Sequence, residues 1–172
     1  MNDIQALNAQ LALPKKIVIT MHANPDADAL GSALGLSHFL VKLGHSTAVI
    51  APTDYPDFLK WMPGNNNVMV LSKSTVNEIS RIIEQAALIF CLDFSDLKRI
   101  GDLQAIIQAS KAVKVLIDHH LNPTDFADIN LHNTSAAATA ELIYDLITAL
   151  GYQSSIDPDI ANCLYAGIMT DT

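Results

Sequence analysis

The chain has 172 residues and a mass of 18.6 kDa, a length typical of one domain that folds without disulfides or structural metals. Its 18 acidic and 10 basic residues give a net charge of -8, which excludes duplex nucleic-acid binding through a broad basic surface. Hydrophobic residues make up 50% of the sequence, which excludes a disordered chain. No apolar run has the length of a membrane span and no signal peptide is evident, so we predict a cytoplasmic protein that does not bind membranes.

Strands and helices are predicted to alternate along the chain. The β-branched run at 17–20 marks the first strand, and leucines at helical spacing after Asp28 mark the first helix. Such alternation of apolar strands with helices is typical of a doubly wound α/β fold, a mostly parallel sheet with helices on both faces. The predicted strands cover 15–22, 47–50, 68–71, 88–94, 113–117 and 127–131. The predicted helices cover 28–43, 75–86, 97–110, 135–150 and 157–169, and 52–67 is predicted as a loop with a turn of helix.

Nothing in the sequence divides the chain into parts. There is no internal repeat and no segment with the composition of a linker, so we predict one domain over 1–172. Cys91 and Cys163 each lie in an apolar segment and do not form a CxxC pair, which indicates two buried, reduced thiols.

Three of the predicted strands end in residue types that bind metal ions. His22 closes the first strand and is followed by Asp26 and Asp28. Asp93 follows the apolar run through Leu92 at the end of the strand at 88–94, and the strand at 113–117 runs into 118–120, Asp-His-His. In doubly wound sheets, ligands bind at the carboxyl ends of the strands. Mixed imidazole and carboxylate ligands suit Mn, with Mg or Fe as alternatives. So many ligands predict a pair of ions, an arrangement that clamps phosphoryl oxygens and activates a bridging water.

Each of these residues also has a purely structural interpretation. Asp28 is a candidate N-cap for the helix after it, and Asp26 a candidate turn residue after Pro25. Asp93 is placed to cap the next helix, and a single histidine such as His22 is often no more than a hydrogen-bonded part of the structure. The run at 118–120 is harder to explain by packing, since adjacent imidazoles gain nothing from an apolar core.

Four segments carry a resemblance to a known family. The segments HANPDADALGSALGL, CLDFSDLKRIG, VLIDHHLN and LYAGIMTDT are similar, in order and spacing, to the signature motifs of the DHH phosphoesterase family. The stretches NPDADALGS and ATAELIYDLI resemble its oligoribonuclease and PAP phosphatase branch. The resemblance implies an enzyme of RNA degradation, which hydrolyses short single-stranded RNA to mononucleotides and removes a phosphate from 3'-phosphoadenosine 5'-phosphate.

The resemblance also implies a two-ion manganese site. One ion would be held by His22, Asp26 and Asp93, and the other would share Asp93. The ligands implied for that second ion are Asp28, Asp93, His119 and Asp171. Without the resemblance, Asp171 is only an acidic residue near a helix end, where a carboxylate usually faces solvent.

Three further residues are candidates for catalysis or substrate binding. The resemblance implies that His120 faces the scissile phosphate as a transition-state stabiliser or acid, and that Asp118 orients the neighbouring imidazoles. Arg99 is a candidate phosphate contact, although a solvated surface arginine fits that position equally well.

The sequence departs from the family pattern in two ways. Ala27 stands where many relatives carry glycine, a small change unless the backbone needs positive φ. The chain also stops at Thr172, directly after the fourth motif, whereas family members continue into a DHH-associated substrate-binding domain. We therefore expect a fragment that binds metal but turns over slowly, and the resemblance leaves a homodimer open.

Two other branches of the family and one non-enzymatic role remain alternatives. Cyclic-dinucleotide phosphodiesterases and family II inorganic pyrophosphatases share the core motif. A degenerate domain that only binds a nucleotide is the non-enzymatic alternative.

Overall fold

Six strands, six α-helices and four short 3-10 helices lie within residues 2–172, the part of the chain that the computed structural model describes. The strands are β1 Lys16–Met21, β2 Ser46–Ala51, β3 Met69–Val70, β4 Leu88–Leu92, β5 Val113–Asp118 and β6 Ile129–His132. The helices are α1 Asp3–Gln10, α2 Ala27–Lys42, α3 Val76–Gln85, α4 Leu103–Ala109, α5 Thr139–Ala149 and α6 Pro158–Asp171.

All neighbouring strands are parallel, in the order β3-β2-β1-β4-β5-β6. Strands β2 and β3 are added on one side of β1, and the chain then crosses over so that β4, β5 and β6 are added on the other side. The point between β1 and β4 is therefore the topological switch point, where the carboxyl ends of two central strands open a crevice. The predicted doubly wound α/β class is confirmed.

Helices cover both faces of the sheet, which is why its central strands are apolar on both sides. Along β1, Ile17 and Ile19 face the layer formed by α1, α2, α5 and α6, whereas Val18 faces α3 and α4. Both cysteines are buried free thiols, as predicted, and burial raises the pKa of each to about 12. Among residues 2–172, no helix combines the length and apolar character needed to cross a membrane.

The structure differs most from the predicted elements in three places, and elsewhere the ends of elements shift by one to a few residues. Helix α1 was not predicted, because within its eight residues only Leu7 is buried and the apolar period is too weak to read. The helix predicted over 97–110 is broken at Gly101, whose φ of 55° ends a 3-10 turn before α4 begins. Helix α5 begins at Thr139 and not at 135, since the segment before it is a turn in which Asn133 accepts a hydrogen bond from the Ser135 amide.

Helices α2 and α6 approach each other closely because glycines line their contact. A Cβ atom built on Gly31 would lie 2.3 Å from the Cys163 carbonyl oxygen, and one on Gly167 would lie 2.8 Å from an oxygen of Asp28. Side chains at these positions would separate the two helices. The close approach brings the last turn of α6, with Asp171, to the edge of the sheet where β1 and β4 end.

We expect Gly31→Ala to destabilise the protein by about 1–3 kcal/mol, since the new methyl group meets backbone that cannot move alone. Gly35→Ala is the matched control in the same helix contact, because its Cβ would meet side-chain atoms and no backbone, Leu164 Cδ2 at 2.7 Å and Cys163 Cβ at 3.6 Å, and the Leu164 side chain can rotate. Urea unfolding of both variants measures the difference. If both variants lost the same free energy of unfolding, the contact of Gly31 with the Cys163 backbone would not be what limits side-chain size at this position.

Candidate metal centre

Six side chains of the predicted metal site meet at the carboxyl ends of β1, β4 and β5. Each of these three strands is followed directly by one residue of the site. The start of α2 adds two carboxylates, and the last residue of α6 adds one. These residues are His22, Asp26, Asp28, Asp93, His119 and Asp171. Their ligand atoms form two groups within 4.8 Å, His22 with Asp26 and Asp93, and His119 with Asp28 and Asp171. A third group of the same size, Asp93 with His119 and His120, links the two.

The first group surrounds the imidazole of His22. Its Nδ1 donates to the Ala23 carbonyl at 2.8 Å, which turns Nε2 towards the carboxylates. Nε2 lies 3.6 Å from Asp26 Oδ2 and 3.4 Å from Asp93 Oδ2. A backbone bond that fixes one ring nitrogen and presents the other is the arrangement found in metal-binding histidines.

The second group surrounds the imidazole of His119. Its Nδ1 lies 3.3 Å from the Ala136 carbonyl, and its Nε2 lies 3.3 Å from Asp171, 3.5 Å from Asp93 Oδ1 and 3.8 Å from Asp28. This Nε2 atom is buried and has no hydrogen-bond partner among residues 2–172. A buried imidazole nitrogen facing three carboxylates without a hydrogen bond is the environment that a divalent cation would complete.

Asp93 stands between the two groups. One carboxylate oxygen faces His22 and the other faces His119, so a single side chain can serve two ions. The backbone of Asp93 has a φ of 66°, a left-handed conformation that aspartate tolerates better than most residues. The predicted capping role for Asp93 is not observed, since the 3-10 turn that follows is capped by Asp96.

The two aspartates at the start of α2 do not have the structural roles considered from the sequence, in which Asp28 was the candidate N-cap of this helix and Asp26 a turn residue. Asp26 is the N-cap of α2, accepting from the Ala29 amide at 2.9 Å through Oδ1 and leaving Oδ2 for His22. Asp28 lies inside the first turn of α2 and caps α5 instead, accepting from the Thr139 amide at 2.7 Å and the Ala140 amide at 2.8 Å. It does so because the N-cap position of α5 is Ala138, whose side chain has no acceptor.

His120 and Asp118 form a pair beside the two groups. Asp118 is fully buried and its Oδ1 lies 2.7 Å from His120 Nδ1, whereas the His120 side chain is 42% exposed. The His132 ring holds the backbone of this segment through the His120 carbonyl at 2.5 Å. Asp118 orients only His120; in the described structure, His119 is held by the Ala136 carbonyl, so the expectation that Asp118 orients both imidazoles is wrong for His119.

Arg99 lies near the same edge but outside the cluster. Its carbonyl accepts from the Ala23 amide at 2.8 Å, which ties its backbone to the residue after His22. Its side chain is exposed to solvent. An exposed side chain at this place fits both roles considered from the sequence, a contact with a substrate phosphate and a solvated surface arginine.

Crowding of negative charge shifts the protonation of the cluster. Burial lowers the pKa of His22, but hydrogen bonds to Asp26 and Asp93 outweigh burial and raise it to about 10. Burial and the charge of Asp93 raise the pKa of Asp28 to about 7. Burial and the charges of Asp93 and Asp26 also raise the pKa of Asp171. At neutral pH the cation-free centre therefore retains protons that a metal ion would displace.

We expect Mn²⁺ binding to release at least one proton per chain at pH 7.5, mainly from His22, whose pKa of about 10 keeps it protonated there. Because each bound ion competes with protons, affinity should increase with pH by about tenfold per unit until His22 deprotonates near pH 10. Isothermal titration calorimetry in buffers of different ionisation enthalpy counts the protons. His22→Gln should release fewer, and an affinity that is constant from pH 7 to 9 would contradict this account.

A family model described as the N-terminal domain of the DHH family matches residues 16–168. The chain belongs to the DHH family. The resemblance drawn from the four sequence segments is therefore confirmed, and with it the assignment to an enzyme family.

One curated protein and two solved structures illustrate what this DHH-family chain is similar to. The bifunctional oligoribonuclease and PAP phosphatase NrnA of Thermus thermophilus is 30% identical over 161 residues, which cover 94% of this chain and 44% of that protein. A crystal structure of an exopolyphosphatase-related protein from Bacteroides fragilis is 42% identical, with a TM-score of 0.96 over 99% of this chain and 50% of that one. Exonuclease RecJ bound to manganese shares the fold at 18% identity, with a TM-score of 0.58 over 100% of this chain and 44% of that one. The chain spans about half the length of the curated relatives it matches.

Sequence reasoning missed Thr139 as a member of this DHH centre. Its hydroxyl donates to Asp93 Oδ1 at 2.8 Å, across 46 positions of sequence. The residue lies inside a segment predicted as helix, and a threonine there gives no sign of its partner. Only the packing of α5 against the sheet brings the two together.

Proposed function

We propose that the chain is the catalytic domain of a phosphoesterase that works with two divalent cations, with Mn²⁺ preferred over Mg²⁺ or Fe²⁺. The observation that carries this proposal is the buried His119 Nε2, which faces Asp28, Asp93 and Asp171 without a hydrogen bond. A second imidazole, on His22, faces the other oxygen of Asp93. Two such groups sharing one carboxylate fit a pair of ions better than a single ion.

The side chains around the two groups suit hydrolysis of a phosphate ester. Bound divalent cations would supply activation of water and neutralisation of phosphoryl charge. His120 donates from Nδ1 to Asp118, whose carboxylate would stabilise the imidazolium form, and the Nε2–H of that form would donate to an oxygen of the phosphate or to the leaving group. Arg99 is exposed near the same edge and would contact a second phosphate.

We propose short single-stranded RNA and 3'-phosphoadenosine 5'-phosphate as substrates. The name of the Thermus thermophilus relative supports this choice. A net charge of -8 is compatible with it, because cations at the site supply the local positive potential and a short substrate needs no basic groove. The name of the Bacteroides fragilis relative favours a second candidate, cleavage of a phosphoanhydride by the same centre.

The test begins with metal binding by the chelator-treated 172-residue chain, measured by calorimetry with Mn²⁺. We expect two ions per chain. Hydrolysis is then assayed at high enzyme concentration over hours, with a trinucleotide RNA, 3'-phosphoadenosine 5'-phosphate, pyrophosphate, polyphosphate and cyclic di-AMP in parallel. Because the relatives are about twice as long, we propose that a second domain contributes to their substrate binding and that this chain alone turns over slowly.

The outcomes separate the candidates. Cleavage of the RNA and the nucleotide bisphosphate alone supports the proposed substrates. Dominant cleavage of pyrophosphate, polyphosphate or cyclic di-AMP retains the metal centre and replaces the substrate. Two bound ions without hydrolysis of any compound would favour the nucleotide-binding module, and failure to bind Mn²⁺ would overturn the proposal as a whole.

A further inference from the structure

Thr139 contacts two carboxylates of the candidate metal centre without being a candidate ligand itself. It is fully buried and is the first residue of α5. Its hydroxyl donates to Asp93 Oδ1 at 2.8 Å, and its amide donates to Asp28 Oδ2 at 2.7 Å. One residue therefore fixes an acidic side chain from each of two separate elements.

Asp93 needs such a contact because its carboxylate must hold one orientation to face two imidazoles. The terminal torsion of an aspartate side chain is broad, so the carboxylate plane rotates easily unless hydrogen bonds hold it. Rotation would turn Oδ2 away from His22, at 3.4 Å, and Oδ1 away from His119, at 3.5 Å. The Thr139 hydroxyl is a suitable restraint, because the Thr139 backbone is anchored at the start of a helix and its branched side chain has few rotamers.

The hydroxyl also leaves the carboxylate able to bind a cation. A neutral donor occupies one lone pair of Oδ1 and leaves the other for an ion, whereas a lysine or arginine there would compete with the ion by charge. Among the described residues, Asp93 Oδ1 is the only hydrogen-bond acceptor of the Thr139 hydroxyl. The Thr139 hydroxyl therefore acts on Asp93 alone.

We propose that Thr139 is a positioning residue that sets the rotation of the Asp93 carboxylate, so that each oxygen serves one of two cations. The inference rests on the proposed two-ion centre. Without the hydroxyl, Asp93 can still bind one ion but no longer holds the orientation that both ions share. Loss of affinity should therefore be accompanied by loss of magnetic coupling between two bound Mn²⁺ ions.

The experiment compares Thr139→Val with wild type in the 172-residue chain. Thr139→Val keeps the shape of the side chain and removes the hydroxyl, and we expect its Mn²⁺ affinity to fall about 10- to 100-fold, a typical effect of removing a group that orients a ligand. At saturating Mn²⁺, electron paramagnetic resonance should show weaker coupling between the two ions. Thr139→Ser, which keeps the hydroxyl, should restore affinity to within about threefold of wild type and restore the coupled spectrum.

Thr20→Val is the matched control. Thr20 is also fully buried, and its hydroxyl also makes one hydrogen bond, at 2.9 Å, but to the Ile50 carbonyl. It should lose stability without losing Mn²⁺ affinity. Equal Mn²⁺ affinities in Thr139→Val and wild type, or equal losses in Thr139→Val and Thr20→Val, would overturn the inference.

Two arrangements keep the test decisive. If Thr139→Val does not fold, as judged by circular dichroism, Thr139→Ala and Thr139→Ser replace it, since they differ only by the hydroxyl oxygen. Equal affinities in that pair would overturn the inference. If wild type binds no Mn²⁺ at all, it is the proposed function that fails.

Discussion

Asp93→Asn should abolish the stabilisation that Mn²⁺ gives to the protein and lower phosphoesterase activity at least about 1,000-fold. The side chain faces both imidazoles of the centre, so its loss affects both ions. Asparagine tolerates the left-handed backbone at this position and can still accept from Thr139, so the fold should persist. The expected rate loss equals about 4 kcal/mol of transition-state stabilisation, within the range for electrostatic groups at a reaction centre.

Thermal unfolding with and without Mn²⁺ is the direct measurement. An ion at 100 times its dissociation constant stabilises a folded protein by about 2.7 kcal/mol per site, so wild type should show a clear rise in Tm and the variant little or none. Asp145→Asn is the control, because it removes the same charge from an exposed position on α5. A full Mn²⁺-induced rise in Tm for Asp93→Asn would rule out the shared-ligand role.

Asp28→Ala should weaken both metal binding and the metal-free fold, which distinguishes it from Asp93→Asn. The Asp28 carboxylate is fully buried and accepts from the amides of Thr139 and Ala140. Alanine would leave both amides buried without an acceptor, at about 1–3 kcal/mol for each group. We therefore expect a loss of about 2–6 kcal/mol in the free energy of unfolding, measured by urea denaturation in the presence of a chelator.

Asp157→Ala is the control for the loss of a helix cap. Asp157 accepts from the Ile160 amide at 3.0 Å at the start of α6 and pairs with Lys42 Nζ at 2.8 Å, outside the six residues of the centre, and loss of this cap should cost about 0.5–2 kcal/mol. Mn²⁺ binding should survive in Asp157→Ala and fail in Asp28→Ala. Equal stability losses in the two variants would show that Asp28 contributes no more to the fold than a half-buried helix cap such as Asp157.

The sequence was sufficient to predict the fold because its signals are local. The apolar strand at 88–92 can be predicted from a few adjacent residues. The same holds for α3, a helix with a strong apolar period in which Ile79 and Ile83 are buried. The strand order and the switch point then bring His22 and Asp93 to one edge. Asp171 required the family resemblance, because its place in the centre depends on how α6 packs on α2.

The parts that could not be predicted depend on contacts between distant segments. That Asp28 would cap α5 and not α2 follows from the packing of α5 and from the lack of an acceptor on Ala138. Gly101 breaks a helix whose apolar spacing continues on both sides. The bond from Thr139 to Asp93 has no counterpart in any local pattern. These are tertiary effects that override local preference.

The position of Asp171 at the end of α6 has a consequence for biosynthesis. His22 follows the first strand and Asp171 comes from the last helix, so the centre joins nearly the whole length of this chain. A nascent polypeptide lacks this carboxylate until α6 has been synthesised and has packed against α2. The complete centre would therefore bind metal ions late, after the sheet is assembled. Before that, the ligands synthesised earlier would bind ions more weakly, because they lack the Asp171 carboxylate.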